Sequence, residues 1–283
     1  QALAAATTLA SPEHRRHVVR AIGSRLYTLT IARQMLQRGA EPEYVMQMER
    51  VADAEGEYRL VIEQMVPILG GLLTDPDEWV RIAAAEALGH LGPDAKGAAL
   101  ALLKGCTSSH GEGCNALEKL GDELVPHLPQ IAELLQDPET AHRAVNLLAS
   151  LKQKAQPALP ALAKRLEAPS ADDRIYTAKV MWDIDPAGAR QAIPVLRPLL
   201  RHEFPRIQFE AALTLCRIAP EDADARATLL RFVEDEEWSR RYQAIGQLDA
   251  VGESSVEFQA VALEGLSDPE PAVRRLCAEV LGK

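Results

Sequence analysis

The sequence predicts an all-α fold of the α-solenoid class: a right-handed superhelix of about seven helical hairpins, preceded by a helical cap. Three observations predict it. The stretch Val66 to Gly92 describes one helical hairpin, and versions of it recur to the end of the chain. The recurrence has a period near 32: with Asp75 as register mark, equivalent positions fall at Gly105, Asp137, Ala168, His202, Asp235 and Asp268, at spacings of 30, 32, 31, 34, 33 and 33 residues. Pro67, Pro129, Pro160 and Pro194 each stand eight residues before their mark, an alignment that random composition would not give.

Within the first hairpin, Ile68, Leu69, Leu72 and Leu73 have the three-to-four-residue spacing of a helix that buries one face. Asp75-Pro76 then reads as a helix start, with Asp as cap and Pro at the first position, where no N–H is needed. Val80, Ala84, Leu88 and Leu91 supply the buried stripe of the second helix. Ala83, Ala84 and Ala85 let a neighbour approach, and Gly89 and Gly92 offer left-handed exits. An arginine six residues after the mark recurs as Arg81, Arg143, Arg174, Arg241 and Arg274, with a shorter turn required in the third repeat.

Residues 1–60 do not follow the repeat and are expected to form the cap, with the repeat array over 61–283. Ser11-Pro12-Glu13 opens one helix, whose stripe is Val18, Ile22, Leu26, Leu29 and Leu36; Glu41-Pro42 opens another. Repeat two departs most from the pattern. Gly111 and Gly113 each disfavour helix by about 1 kcal/mol relative to Ala, so only Cys114 to Leu120 reads as a secure second helix there. Asp185-Pro186 and Ala219-Pro220 mark later turns. Leu281-Gly282-Lys283 directly follows the last second helix without a polar cap, so this edge is expected either to continue into further repeats or to meet a partner.

The second-helix pattern, DPDEWVRIAAAEALGHLG and again DPEPAVRRLCAEVLG, resembles the short HEAT-like repeats named after the phycobilisome lyases, over about residues 61 to 283. The resemblance implies architecture more than chemistry, because such repeats serve mostly as scaffolds. His202-Glu203 invites comparison with deoxyhypusine hydroxylase, whose repeated His-Glu pairs bind two irons, but there is one such pair here and it sits at the mark. HEAT-like DNA glycosylases grip DNA on a basic face, and against that stands the charge of −10, from 41 acidic and 31 basic side chains. Arg15-Arg16 is the one basic run of note, read as a solvated helix face.

No apolar stretch is long enough to span a membrane. The chain begins at Gln1, as it would after signal cleavage or trimming, and a bacterial, exported protein is favoured slightly over a cytoplasmic one. Motifs for nucleotide binding, nucleophilic hydrolysis and zinc-dependent proteolysis are missing, and the chain is read as non-catalytic, with no cofactor and no metal. Cys106, His110 and Cys114 lie in the irregular second repeat. A Cys106–Cys114 disulfide would staple that hairpin in an oxidising compartment; metal binding would need a fourth ligand, and the plain alternative is two packing residues and a loop histidine. Cys216 and Cys277 read as buried free thiols. Trp79 and Trp238 read as packing at the start of second helices, and Trp182 as core packing or an interface anchor.

Second helices are expected to line the inner curve, shaped by positions off the apolar stripe. These are Glu86, His90, Asn146, Lys179, Asp183, Glu210, Thr214, Gln243, Gln247, Arg275 and Glu279, joined by Trp182. The function expected is a scaffold that binds a protein or peptide, of basic or mixed charge, along this face. The alternatives are a lyase-like or chaperone-like helper for a cofactor-bearing partner, which the family resemblance implies, and a nucleic-acid binder, which the charge disfavours.

Overall fold

The computed structural model describes residues 11–37, 54–105 and 112–282, and all regular elements among them are helical. The fold is all-α, of the solenoid class. Its α-helices are α1 (Pro12–Gln37), α2 (Ala54–Leu72), α3 (Glu78–Leu91), α4 (Ala99–Gly105), α5 (Glu112–Leu120), α6 (Leu128–Leu134), α7 (Pro138–Leu151), α8 (Leu159–Arg165), α9 (Ala171–Ile184), α10 (Ile193–Leu196), α11 (Pro205–Ile218), α12 (Ala223–Phe232), α13 (Trp238–Ala250), α14 (Val256–Glu264) and α15 (Pro271–Leu281). The odd-numbered helices from α3 onward are the second helices of successive hairpins. Several first helices are short and begin in 3₁₀ turns, such as Gly121–His127 and Gly188–Ala192. Pro129 and Pro194, which donate no N–H, stand in the first turns of α6 and α10.

The chain divides into two compact units, residues 1–158 and 159–283. In the first, α1 packs along α3, α3 against α5, and α5 against α7. Gly23 of α1 lets this approach happen, since a Cβ there would lie 3.2 Å from Ala87 Cβ. Glu13, His14, His17, Arg20, Ser24 and Arg25 of α1 are exposed. The helix expected from Glu41-Pro42 lies outside the described residues. In the second unit, α9, α11, α13 and α15 stack in series. The eleventh residue of each full-length internal second helix is buried: Leu88, Leu148, Met181, Leu215 and Leu248. On the last hairpin Val256, Leu263, Leu266 and Leu281 are exposed.

The register mark plays a different part from the one its sequence suggests. Asp75 does not cap α3; Asp77 does, accepting from the Val80 N–H at 3.0 Å. Asp75 instead accepts from the Asp77 N–H at 2.9 Å and takes a two-pronged contact from Arg15, both prongs at 2.9 Å. Asp268 repeats the arrangement, accepting from the Glu270 N–H at 2.8 Å and from Arg241 Nε and Nη2 at 2.7 Å each. Arg15, Arg81, Arg174, Arg241 and Arg274 are each the fourth residue of their helix. Arg81, Arg241 and Arg274 also donate Nη1 back to the carbonyl of their own mark, at 2.8, 2.8 and 2.7 Å. So α1 carries the arginine of a second helix although its spacing lies outside the period. Where the next mark is His202 and no carboxylate stands, Arg174 Nε is buried without a hydrogen-bond partner.

The exits of α3, α5 and α7 share one conformation. Gly92 (φ 55°), Gly121 (φ 53°) and Lys152 (φ 51°) occupy it, and Lys152 is a non-glycine in the left-handed half of backbone space.

Candidate functional site

A second helix in this stack uses its apolar stripe against its own hairpin and its neighbours. The positions between those contacts are left on an open face. On α11 these are Glu210, Leu213, Thr214 and Arg217, at offsets of three, four and seven residues, and hence on one side of the helix. On α13 they are Gln243, Gly246 and Gln247, and α9 contributes Lys179. Together they line an open recess of about 420 Å³ in the second unit.

Its charges are of both signs and half-exposed. Lys179 Nζ donates to a Glu210 carboxylate oxygen across one repeat, with side-chain exposures of 35% and 30%. At that exposure the pair contributes about 0–1 kcal/mol, so a ligand can exchange with either partner at little cost. Arg217 is exposed and makes no ion pair among the described residues. Thr214 Oγ1 is spent on the Glu210 carbonyl at 2.7 Å, which leaves the carboxamides of Gln243 and Gln247 as the neutral groups of the floor. Gly246 deepens it, because a Cβ there would meet only Leu276 Cδ2 at 3.8 Å.

Five of the predicted residues are therefore brought together: Lys179, Glu210, Thr214, Gln243 and Gln247. The others are placed elsewhere. Trp182 is half-buried and Asp183 exposed on α9, outside the lining of this recess. Arg275 and Glu279 face one another across one turn of α15 at 3.8 Å, both exposed. In the first unit, Glu86 is exposed, and His90 stands edge-on to Tyr27 of α1 with ring centroids 5.0 Å apart. Burial and then the nearby Lys119 charge push the His90 pKa below its ordinary value, against the pull of Glu86. The possible Cys106–Cys114 disulfide lies outside the described residues.

Sequence reasoning missed Leu213, Arg217 and Gly246. Arg217 stands fifteen residues after its mark, as His90 and Asp183 do, so the register itself held the signal. It also missed a second recess of the same unit, about 810 Å³, formed by first helices and their turns around Arg197, Arg201 and Arg231. Trp79 and Trp238, expected to pack, are 49% and 47% exposed, and the Arg16 guanidinium lies 5.6 Å from the Trp79 ring centroid. Cys216 is fully buried on α11 and its thiol is pushed up to about 12, by burial first, so it stays protonated near neutrality. Among the described residues no group of three or more His, Cys, Asp or Glu side chains is placed to hold a metal ion. None of the described helices is long and apolar enough to cross a membrane.

Residues 65–95 match the HEAT repeat family and residues 159–249 match a second family described as HEAT repeats. No curated protein matches the sequence. Among solved structures, an engineered protein is similar over 99% of this chain and 77% of its own, at 20% identity and a TM-score of 0.52. The complex of CpcE and CpcF of phycocyanin lyase from Nostoc sp. PCC7120 aligns over 76% of this chain and 86% of its own, at 21% identity and a TM-score of 0.44.

Proposed function

Because the chain is a HEAT-like repeat protein, we propose that it is a non-catalytic scaffold, and that its second unit binds an extended segment of a partner protein across α9, α11 and α13. One observation carries the reading: four side chains from three successive second helices, Lys179, Glu210, Gln243 and Gln247, converge with Arg217 on a single open recess. Its volume of about 420 Å³ suits a few side chains of a bound segment. The lining offers an ammonium, a guanidinium, a carboxylate and two carboxamides. Those groups pair with a peptide backbone and with side chains of mixed charge, and they include no nucleophile beside a base.

The test is selection of binding peptides from a displayed random library against the full chain, followed by measurement of each peptide on variants. Arg217→Glu and Gln243→Ala should each weaken the selected peptides by about tenfold, equivalent to about 1.4 kcal/mol. Both residues are exposed, so neither change should disturb folding. Selected peptides that bind both variants as well as the parent chain would refute the assignment of this face.

A further inference from the structure

The second unit carries another recess, on the side of its first helices, and its chemistry differs from that of the second-helix face. Three guanidinium groups line it: Arg197, Arg201 and Arg231. Arg197 is held in place by a buried neighbour, and Arg231 has a longer contact with Gln208. Arg197 donates Nε to Asp222 at 2.8 Å, and Asp222, with only 3% of its side chain exposed, is itself fixed as the cap of α12 by the Ala225 N–H at 3.0 Å. That leaves both terminal nitrogens of Arg197 without a hydrogen-bond partner among the described residues. Arg231 donates Nη2 to Gln208 Oε1 at 3.4 Å, and Gln208 is anchored in turn by donating Nε2 to the His202 carbonyl at 2.6 Å. Among the described residues Arg201 makes no ion pair or hydrogen bond from its side chain.

The wall between the arginines is stiff and weakly apolar, made of Pro194, Pro198 and Ala227. Asp224 is the one acidic residue in the lining and Asp222 stands behind Arg197, so three guanidiniums face two carboxylates and the recess keeps an excess of one positive charge in a chain whose net charge is −10. Guanidinium groups with two free parallel donors match carboxylates in a fork. Those already oriented lose less side-chain entropy on binding than free ones. At about 810 Å³ the recess is far larger than a single small anion needs and matches a short run of residues.

We propose that this recess is a second docking site, for an acidic peptide segment of a partner protein, whose carboxylates take Arg197, Arg201 and Arg231 while its backbone lies over Pro194 and Pro198. The site is independent of the second-helix face, and one scaffold unit can then hold two segments, one of mixed charge and one acidic, on opposite helix layers.

The experiment is fluorescence anisotropy of a labelled hexaglutamate peptide titrated with the full chain at low salt. Saturable binding is expected, weakening as salt is raised. Arg201→Glu and Arg231→Glu should each weaken it by about tenfold or more, and Arg201→Lys by about threefold, because the charge stays and the fork is lost. Gln208→Leu, which removes the anchor of Arg231 but no charge, should weaken it measurably, an effect that a diffuse positive field would not produce. Arg217→Glu should leave it unchanged. Binding that ignores Arg201→Glu and Arg231→Glu, or no saturation at about millimolar chain, would overturn the proposal. So would competition by inorganic phosphate at the same concentration as the peptide, which would mark a small-anion site. Self-association of the chain that these variants abolish would instead place a second copy's acidic run Glu234 to Glu237 in the recess, and would also overturn it.

Discussion

Replacing Asp268 by Asn tests whether the register mark works as an interlock between hairpins. The carboxylate accepts Arg241 Nε and Nη2 at 2.7 Å each and the Glu270 N–H at 2.8 Å, with side-chain exposures of 13% for Arg241 and 8% for Asp268. Asn keeps the shape but turns an NH₂ toward a guanidinium N–H, so one charge-assisted bond is lost and donor faces donor. A hydrogen bond to a charged group is worth about 1.5–3 kcal/mol, and solvent at the rim holds the loss near the lower end, about 2 kcal/mol. That corresponds to about a thirtyfold shift in the local opening equilibrium of the last hairpin. Hydrogen exchange of the α15 amides at neutral pH reads it directly. The pH dependence follows from the direction of the Asp268 shift. The Arg241 hydrogen bonds lower its pKa; burial opposes them, and the Glu270 N–H and the charges of Arg241 and Arg274 assist. A carboxyl lowered from about 3.9 in the unfolded chain contributes stability that is complete above that value and is lost as pH falls through the folded one. The gap between parent and Asp268→Asn should therefore be flat from neutral pH down to about 5 and close below about 3.9. Acceleration of less than about threefold, or a gap that persists unchanged at about pH 2, would refute the interlock.

Two further predictions concern single backbone positions. A Cβ on Gly265 would overlap the buried Cys277 Sγ, while the backbone there is ordinary (φ −63°, ψ −13°). Gly265→Ala should thus cost about 1–3 kcal/mol by overpacking, and Cys277→Ala, which removes the sulfur, should recover at least about 1 kcal/mol of it in a double-mutant cycle read by urea unfolding; simple additivity would count against the clash. Lys152 holds φ 51°, ψ −134° where glycine stands at the equivalent exits, so Lys152→Gly should raise stability by about 1 kcal/mol, with strain relief exceeding the added chain entropy, and a lower thermal midpoint would contradict it.

What the sequence disclosed and what it hid divide along the range of the interactions. The second helices were legible because their apolar pattern is local: Leu88, Leu215 and Leu248 recur at one helical position and all are fully buried. The shortened helix of repeat two was legible too, through Gly111 and Gly113, although α5 begins two residues earlier than expected, at Glu112. Asp75 was misread as a cap because its partner, Arg15, lies 60 residues away, beyond any pattern of neighbours. The same blindness set α1 apart from the repeats: its spacing is foreign to the period, and only Arg15 at the fourth helical position shows its kinship to Arg81 and Arg241. Lys179, Glu210, Gln243 and Gln247 were found by asking which positions the apolar stripe leaves over. Arg197, Arg201 and Arg231 escaped that question because they stand on first helices and turns. Where a long guanidinium goes is decided by tertiary partners such as Asp222 and Gln208.

The mean charge is a poor guide to the potential over such a stack, and the second unit shows why. Several of its acidic side chains are committed between successive hairpins: Asp172 to Arg206, Glu210 to Lys179, Glu221 to Arg190, Glu253 to Arg226 and Asp268 to Arg241. Each such pair neutralises a carboxylate at a repeat boundary and leaves the local field to whatever is unpaired nearby. On the first-helix side those groups are Arg201 and the free ends of Arg197 and Arg231; on the turn before α13 the exposed Glu234 and Glu236 remain. A net charge of −10 argues against one continuous basic stripe of the kind a nucleic-acid backbone requires, because a stripe sums over many repeats. It places no such limit on a recess a single repeat wide, where three guanidiniums outnumber the two carboxylates beside them and the excess of carboxylates elsewhere is screened beyond about 8–10 Å.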